Sequence, residues 1–338
     1  MKRKIAIVAG GDSSEYAVSL RSAAGIHSFL DPEKYDFTIV CLRGSDWQAV
    51  LDWQLADGEM KIGQTTPIDK NDFSYTSNGV KTKFDFAYIT IHGTPGENGL
   101  LQGYFEMLRI PYSCCGVLAA ATTFNKFACN HYLQAFGYRI SPSILLRKGA
   151  ERPSAEEIVK ELGLPCFIKS NVGGSSFGCT KVKTLDAVEP AIARAFEEGN
   201  EVICEAFMKG TEITCGVYKT RKNAVAFPIT EVVTSNEFFD YDAKYKGQVD
   251  EITPARIPDD VRDKVQALTL RLYDILGCRG IIRTDYILTR DENNNTQINL
   301  LEVNTTPGMT ATSFIPQQVR AAGLDIREVL TDIIENEF

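Results

Sequence analysis

The residue types best suited to chemistry lie between Arg283 and Gly308. There Arg283, Asp285, Glu302 and Asn304 sit in two apolar runs separated by the polar segment Asp291-Glu292-Asn293-Asn294-Asn295. Side chains two apart on an extended strand share a face, so Arg283 projects with Asp285, and Glu302 with Asn304. If the polar segment is a turn that pairs the runs, three oxygen donors and one guanidinium converge. An all-oxygen set without His or Cys suits a hard cation such as Mg²⁺ or Mn²⁺, which keeps waters and shares its other positions with substrate phosphates. Ile281, Ile282, Ile287, Leu300, Leu301 and Val303 make the strands otherwise buried. A buried charge costs several kcal/mol unless it is paired or bound to metal. The competing reading is a solvated hairpin with incidental acids.

A second candidate is Lys169, at the end of the strand-like run from Cys166. It precedes Ser170-Asn171-Val172-Gly173-Gly174-Ser175-Ser176-Phe177-Gly178 and a further run, Cys179 to Val182. A loop of Gly and Ser between two strands can wrap phosphates with backbone N–H groups and hydroxyls. It is not a Walker A loop, since G-K-[ST] is absent, and a plain hairpin is the alternative. The apolar strand Glu201 to Met208 runs on into Glu212-Ile213-Thr214; its end can offer backbone groups to an adenine edge and a carboxylate to ribose hydroxyls. His92 heads the glycine-rich stretch to Gly99 at the carboxyl end of an apolar strand, where open α/β sheets bind ligands, although a lone His is as often structural. Residues 231–255 lack periodicity, yet Phe238-Phe239-Asp240-Tyr241-Asp242-Ala243-Lys244-Tyr245 is too aromatic for disorder and reads as a closing lid.

These groups need a scaffold. Lys4 to Ala9 is a continuous apolar strand of the parallel-sheet kind, followed by Gly10-Gly11 and a helix through Ser22 to Leu30. Its glycines do not match G-x-G-x-x-G. Phe37 to Leu42 and Phe84 to Ile91 give two more strands, and the segment between them reads as a helix and a hairpin. Near Ala120 to Phe127 the chain leaves this lobe and turns α+β. A helix spans Asn125 to Phe136, and Ser154-Ala155-Glu156-Glu157 is a capping box for a helix ending near Gly163. Another helix spans Pro258 to Leu276, and helices near Pro316 to Ala322 and Ile326 to Ile334 close the fold.

Composition sets the outer bounds. The 338 residues suffice for two or three domains, and 44% hydrophobic with 24% charged residues describes a soluble globular chain. With a net charge of -8 and no Lys/Arg block, no nucleic-acid partner is expected. Nor is a membrane, because no apolar run reaches spanning length. The N-terminus has no signal h-region, so a cytoplasmic protein is expected. Nine cysteines, without a C-x-x-C pair, lie mostly in apolar runs and read as buried reduced thiols.

A phosphate flap with a Lys, a dication site, an adjacent Arg and a lid imply a nucleotide held between lobes and transfer of its γ-phosphoryl. No well-placed catalytic base is evident, which favours an acceptor already anionic. A carboxylate fits, since its acyl phosphate can be attacked by an amine. Arg283, the amides at Pro307-Gly308 and the cation would stabilise the developing charge.

The order of these parts resembles the ATP-grasp superfamily, specifically the D-alanine:D-alanine ligases, over nearly the whole chain. The motif-bearing runs are Ala9 to Leu20, His92 to Gly103, Ile110-Pro111-Tyr112, Ile168-Lys169-Ser170 with Gly174-Ser175-Ser176, and Leu301 to Thr310. The resemblance implies an ATP-grasp fold with an N-terminal α/β lobe of open parallel sheet (1–121), a central α+β unit with the flap (122–212) and a C-terminal α+β unit with metal site and lid (213–338). It implies phosphate contacts at Lys126 and Lys169, adenine at Glu205, Ala206, Phe207 and Met208, and ribose at Glu212. It puts Mg²⁺ or Mn²⁺, two ions, on Asp285, Glu302 and Asn304, and the reacting carboxylate on Arg283. Gly308 matches the oxyanion amide, Ser313 the group holding the second substrate's carboxylate, Lys244 and Tyr245 the lid pair. Ser175 matches the flap serine that bonds the lid Tyr, and His92 would lie beside the first D-alanine. ATP, D-alanine and a second copy of the chain are the implied partners.

Two positions depart from the family pattern S-x-E-R-E-V-S and its downstream helix. The second Glu, which the resemblance assigns to the first substrate's ammonium group, is Ala17 here, leaving Glu15 as the nearby carboxylate. Phe314 follows Ser313 where a smaller aliphatic is common, which would narrow the second subsite. The implied activity is ATP-dependent synthesis of D-alanyl-D-alanine for cell-wall precursors through an acyl phosphate. D-lactate or another D-amino acid as substrate, or a silent nucleotide-binding protein, are the alternatives. Tyr245 favours an amine acceptor, and intact Lys169, Arg283, Asp285, Glu302 and Asn304 argue against silence.

Overall fold

The computed structural model describes residues 2–174, 178–234 and 249–338. Its first lobe grows from β1 (Arg3–Gly10), α1 (Tyr16–Phe29) and β2 (Tyr35–Arg43). Short strands β3 (Asp46–Val50), β4 (Trp53–Ala56), β5 (Glu59–Ile62), β6 (Thr65–Asp69), β7 (Ser74–Ser77) and β8 (Val80–Lys83) lead to β9 (Phe86–Ile89). The apolar β1 takes the buried position that its composition demands, parallel to both β2 and β9. The sheet order is β8-β7-β6-β3-β2-β1-β9, so a parallel centre is extended by antiparallel strands.

The segment after Leu42 corrects the sequence reading, because strands stand where a helix was expected. Asp57-Gly58 and Asn78-Gly79, all at positive φ, turn β4 into β5 and β7 into β8, the dipeptides that two-residue hairpins favour.

After α2 (Leu100–Leu108), α3 (Val117–Phe124), α4 (Lys126–Gln134) and β10 (Arg139–Ile140) the chain builds a four-stranded sheet. It consists of β11 (Ser143–Arg147), β12 (Cys166–Ser170), β13 (Thr180–Val182) and β14 (Glu201–Ala206) in the order β11-β14-β12-β13. Two helices cover it, α5 (Ala155–Leu162), with the expected capping box at Ser154 and Glu157, and α6 (Val188–Ala195). Ile158, Leu162, Val188 and Ile192 bury against Cys166, Ile168 and Val202.

The largest remaining sheet runs β10-β20-β19-β15-β17-β18, with β16 beside β15. Its strands are β15 (Thr211–Lys219), β16 (Ala224–Ala226), β17 (Thr230–Thr234), β18 (Val249–Ile252), β19 (Ile281–Arg290) and β20 (Thr296–Asn304). The helix α7 (Asp259–Ile275) lays Val261, Val265 and Leu272 on it, near the span that its apolar spacing predicts. Closing the chain are α8 (Phe314–Ala321) and α9 (Ile326–Glu335), whose Leu330, Ile333 and Ile334 share a core with β1 and α1 of the first lobe. Sheet membership cuts the chain differently from the boundaries at 122 and 212: β10 pairs with β20, and Glu212 already belongs to β15. Among the described residues no helix is long and apolar enough to cross a membrane.

Candidate active site

The hairpin is formed by β19 and β20. Arg283 stands opposite Asn304 and Asp285 opposite Glu302, so the four side chains share one face, as alternation requires. A bulge after Asp285 leaves Leu301 unpaired and re-registers the rest of the ladder. On the other side of β19, Thr214 of β15 pairs with Asp285. Glu212, two residues earlier, therefore joins the same face.

Charge on this face is dense. Arg283 donates through Nε and a terminal nitrogen to both oxygens of Asp285, at 2.9 and 2.7 Å. Burial opposes the guanidinium charge, and Asp285 more than offsets that, holding Arg283 protonated. The Phe314 ring lies 5.3 Å below the guanidinium. Phe314 thus seats Arg283 by a cation–π contact. Glu302 lies 3.6 Å from the Lys126 ammonium. Glu212 is pushed up to about 8, first by burial and then by the charges of Asp285 and Glu302.

Carboxylates that repel one another in this way match a site built for a dication. Each oxygen of Asp285 keeps a lone pair beyond its bond to Arg283, as does the Asn304 amide oxygen, which accepts from the Thr306 N–H at 3.1 Å. No group of three His, Cys, Asp or Glu gathers among the described residues. The donor set is two carboxylates and an amide, so the remaining positions would fall to phosphate and water, as is usual for Mg²⁺.

The two lysines expected to meet phosphate come from a strand and a helix. Lys169, on β12, is largely but not fully buried and pairs with Glu205 of β14 at 2.6 Å. The pairing outweighs the burial that works against its charge and raises its affinity for the proton. Lys126, the first residue of α4, donates to the Gly173 carbonyl at 2.6 Å. At the end of β14, Phe207 has Phe167 at 6.0 Å between centroids and the Lys181 ammonium 4.1 Å above its ring, an aromatic seat for a flat ligand. Ala206 already donates to Pro142 O at 3.0 Å and accepts from Ser141 at 2.7 Å, and the Glu205 carboxylate is occupied by Lys169.

On the opposite wall, His92 follows β9, buried, with Nε2 3.0 Å from Ser22 Oγ. Ser22 Oγ also accepts from the Met309 N–H at 3.4 Å, which links His92 to the loop holding Gly308. A Cβ on Gly25 would fall 2.2 Å from the Met309 carbonyl oxygen, and one on Gly308 would fall 2.9 Å from Ser313 Oγ, so α1 and α8 both press on that loop. Ser313, before α8, has its hydroxyl 2.8 Å from Thr310 Oγ1 and accepts from the Thr310 N–H at 3.1 Å.

Glu15 is buried against the flap: a Cβ on Gly174 would sit 2.7 Å from its Oε2. Ala17, by contrast, is exposed. The carboxylate held next to the flap is therefore that of Glu15, two residues before the position to which the resemblance assigns the ammonium contact. Ser175, Lys244, Tyr245 and the rest of the aromatic run 238–245 lie outside the described residues, whereas both ends of the aperiodic stretch 231–255 belong to strands, β17 and β18.

Sequence reasoning missed Glu97, which was visible only as one acid in a glycine-rich run. It is buried, accepts from the Gly93 N–H at 2.7 Å, and is pushed up to about 7, first by burial and then by Glu15. A carboxyl whose folded pKa exceeds its ordinary 4.5 binds more proton folded than unfolded, so stability falls as pH rises from about 4.5 to about 7. At about 1.4 kcal/mol per pH unit the effect is on the order of 3 kcal/mol. Thermal melts of the ligand-free protein should show this slope, and Glu97→Gln should flatten it; an unchanged slope would assign it to another group.

The comparisons bear on the same geometry. Residues 4–115 match the D-ala D-ala ligase N-terminus family and residues 132–335 the D-ala D-ala ligase C-terminus family. The chain is 66% identical over 338 residues to a D-alanine–D-alanine ligase of Bacteroides fragilis, covering 100% of both. It superposes on VanG D-Ala:D-Ser ligase from Enterococcus faecalis with a TM-score of 0.84 at 29% identity, covering 100% of both chains. With the D-alanine–D-alanine ligase of Bacillus anthracis complexed with ATP the TM-score is 0.75 at 26% identity, over 99% of this chain and 97% of that one. Two family matches spread along almost the whole chain, and a relative alike from end to end, agree with the oxygen-lined hairpin facing a lysine-bearing flap: the chain belongs to the D-alanine–D-alanine ligase family, with the ATP-grasp fold.

Proposed function

We propose that the protein uses ATP to convert the carboxylate of one D-alanine into an acyl phosphate and joins it to the amine of a second, giving D-alanyl-D-alanine for peptidoglycan precursors. The observation that carries this is the register of β19 and β20, which sets Arg283, Asp285, Glu302 and Asn304 on one face with Lys126 at its edge. Phosphoryl transfer asks for positioning and neutralisation of charge rather than for a nucleophile of the protein.

In this reading Lys126 and Lys169 bind phosphate oxygens, Phe207 and Met208 receive the adenine, and Glu212 takes the ribose. Asp285, Glu302 and Asn304 would hold Mg²⁺ or Mn²⁺, two ions, which supply positive charge to the nucleotide phosphates. Arg283 has N–H donors left beyond Asp285 with which to orient the acceptor carboxylate. The Gly308 N–H stabilises the oxyanion formed when the amine attacks, and Ser313 holds the second carboxylate. Glu15 receives the first ammonium group, with His92 beside it. Ser175, Lys244 and Tyr245 would close the cleft. ATP as substrate and nine unpaired cysteines suit the cytoplasm. Leu100, Met107 and Leu118 are exposed on α2 and α3, an apolar face that a homodimer would cover.

Phosphate release tests the reading, with ATP and Mg²⁺ plus D-alanine, L-alanine, D-serine or D-lactate, and product mass as the second readout. Release that requires D-alanine and yields the dipeptide is expected. Release without any acceptor, or none with all of them, would overturn it. The position of Glu15 gives a sharper check. Glu15→Gln should raise KM for the first D-alanine about tenfold or more, the scale of one charge-assisted hydrogen bond. Ala17→Glu should leave it within about twofold, and a marked fall would return the ammonium seat to position 17.

A further inference from the structure

Lys126 and Lys169 must reach the same nucleotide, yet Lys126 opens a helix and Lys169 stands on a strand of the four-stranded sheet. The helix α4 that begins with Lys126 follows onto β10, a strand of the large sheet, whereas Lys169 lies on β12 of the four-stranded one. Neither sheet by itself sets their separation.

One buried side chain bridges them. Asn171, two residues beyond Lys169, has no exposed surface. Its main-chain N–H donates to Glu201 O at 3.0 Å, and its carbonyl accepts from the Lys126 N–H at 3.0 Å. Its side-chain oxygen accepts from the Phe127 N–H at 2.9 Å, while its side-chain nitrogen donates to Glu201 Oε2 at 2.8 Å. The same Glu201 oxygen accepts from Asn125 at 3.1 Å, and Asn125 in turn caps the Ala128 N–H at 2.9 Å. The first amides of α4, which no helix can satisfy internally, are thus answered by Asn171 and Asn125. Lys126 closes the circuit through its ammonium on Gly173 O.

We infer that Asn171 is a positioning residue: it locks the start of α4 to the foot of the glycine-rich flap, so that Lys126 and Lys169 present a fixed spacing to the nucleotide. The inference rests on the reading of those lysines as phosphate contacts. An amide is required because the position accepts and donates at once, which a carboxylate cannot do. Burial acts to raise the Glu201 carboxyl, but hydrogen bonds from Asn171, Arg147 and Asn125 prevail and hold it below its ordinary value. A second carboxylate at 171 would face that charge with no proton to share.

The test compares Asn171→Asp with Asn171→Asp/Glu201→Gln/Asn125→Asp, in which an amide at 201 donates to both new carboxylates and the carboxylate at 125 still caps the Ala128 N–H. Steady-state kinetics in ATP and in D-alanine and thermal melts are measured for both. Asn171→Asp should raise KM for ATP roughly tenfold, the factor for one hydrogen bond to a charged partner, with KM for D-alanine within about twofold. The triple variant should recover KM for ATP to within about threefold of the parent. Should Asn171→Asp fail to fold, Asn171→Ser, which removes the bond to Glu201 without adding charge, carries the same expectation at roughly fivefold. A folded variant with unchanged KM for ATP, or a triple variant that regains melting temperature but not KM, overturns the inference. Lys126→Met separates the layers. If it leaves KM for ATP unchanged, the reading of the lysines falls and the inference with it; if it raises KM while the Asn171 variants do not, the inference alone falls.

Discussion

Glu302→Ala is expected to lower kcat about a thousandfold or more while shifting the melting temperature by no more than about 2 °C. The two effects separate because of where the side chain stands. Its backbone is held in the β19–β20 ladder opposite Asp285, which the substitution keeps. The side chain itself is 32% exposed, with the Lys126 ammonium at 3.6 Å, and a part-exposed ion pair of that length contributes at most about 1 kcal/mol. What is lost is one of two carboxylates available to a dication, and that ion's charge on the phosphates is worth several kcal/mol in the transition state. Activity measured with saturating Mg²⁺ alongside thermal melts checks both halves. Near-normal turnover would remove the metal site from this face; a collapse in melting temperature would mean that the residue serves the fold.

Lys169→Met should show the opposite pattern, losing nucleotide binding and stability together. Lys169 and Glu205 face each other at 2.6 Å with 14% and 5% of their side chains exposed. Removing one partner of a buried pair leaves an uncompensated charge, at a cost of about 3–5 kcal/mol, whereas replacing both with apolar groups of similar volume is often neutral. Lys169→Met/Glu205→Leu should therefore recover most of the melting temperature. It should not recover ATP binding, because the ammonium that would meet the phosphates is gone, and KM for ATP should stay raised by about a hundredfold. If the double variant regains both, Lys169 is a structural partner of Glu205 and the phosphates are held by other groups.

The two variants also show which side chains were legible in advance. Glu302 was found because strand alternation is local: two residues of spacing settle which face a side chain takes, whatever the rest of the chain does. Lys169 was found as the entrance to a Gly/Ser loop, again a local signal. Its ion pair was not, since the sequence reading gives Glu205 to the adenine, and only the antiparallel pairing of β12 with β14 brings the two together. The bulge at Leu301 was equally invisible, because alternation continues through it on paper. Asp57-Gly58 and Asn78-Gly79 were signals present but misread, and the segment taken for helix and hairpin is a run of short strands.

From residue order alone came the oxygen-rich hairpin, the lysine at the flap, the buried first strand and the helix at 259–275, all of them patterns that repeat within a few residues. Tertiary structure decided the rest: that Glu15 is buried beside Gly174 of the flap, that Phe314 seats Arg283, that Glu97 is a buried acid pushed up to about 7, and that Asn171 ties the start of α4 to β14. The division follows from range. Backbone periodicity is a property of neighbours along the chain, whereas burial and charge environment are set by segments such as Lys126 and Glu302 that meet only after folding, and a side chain's solvation changes by kcal/mol on that encounter.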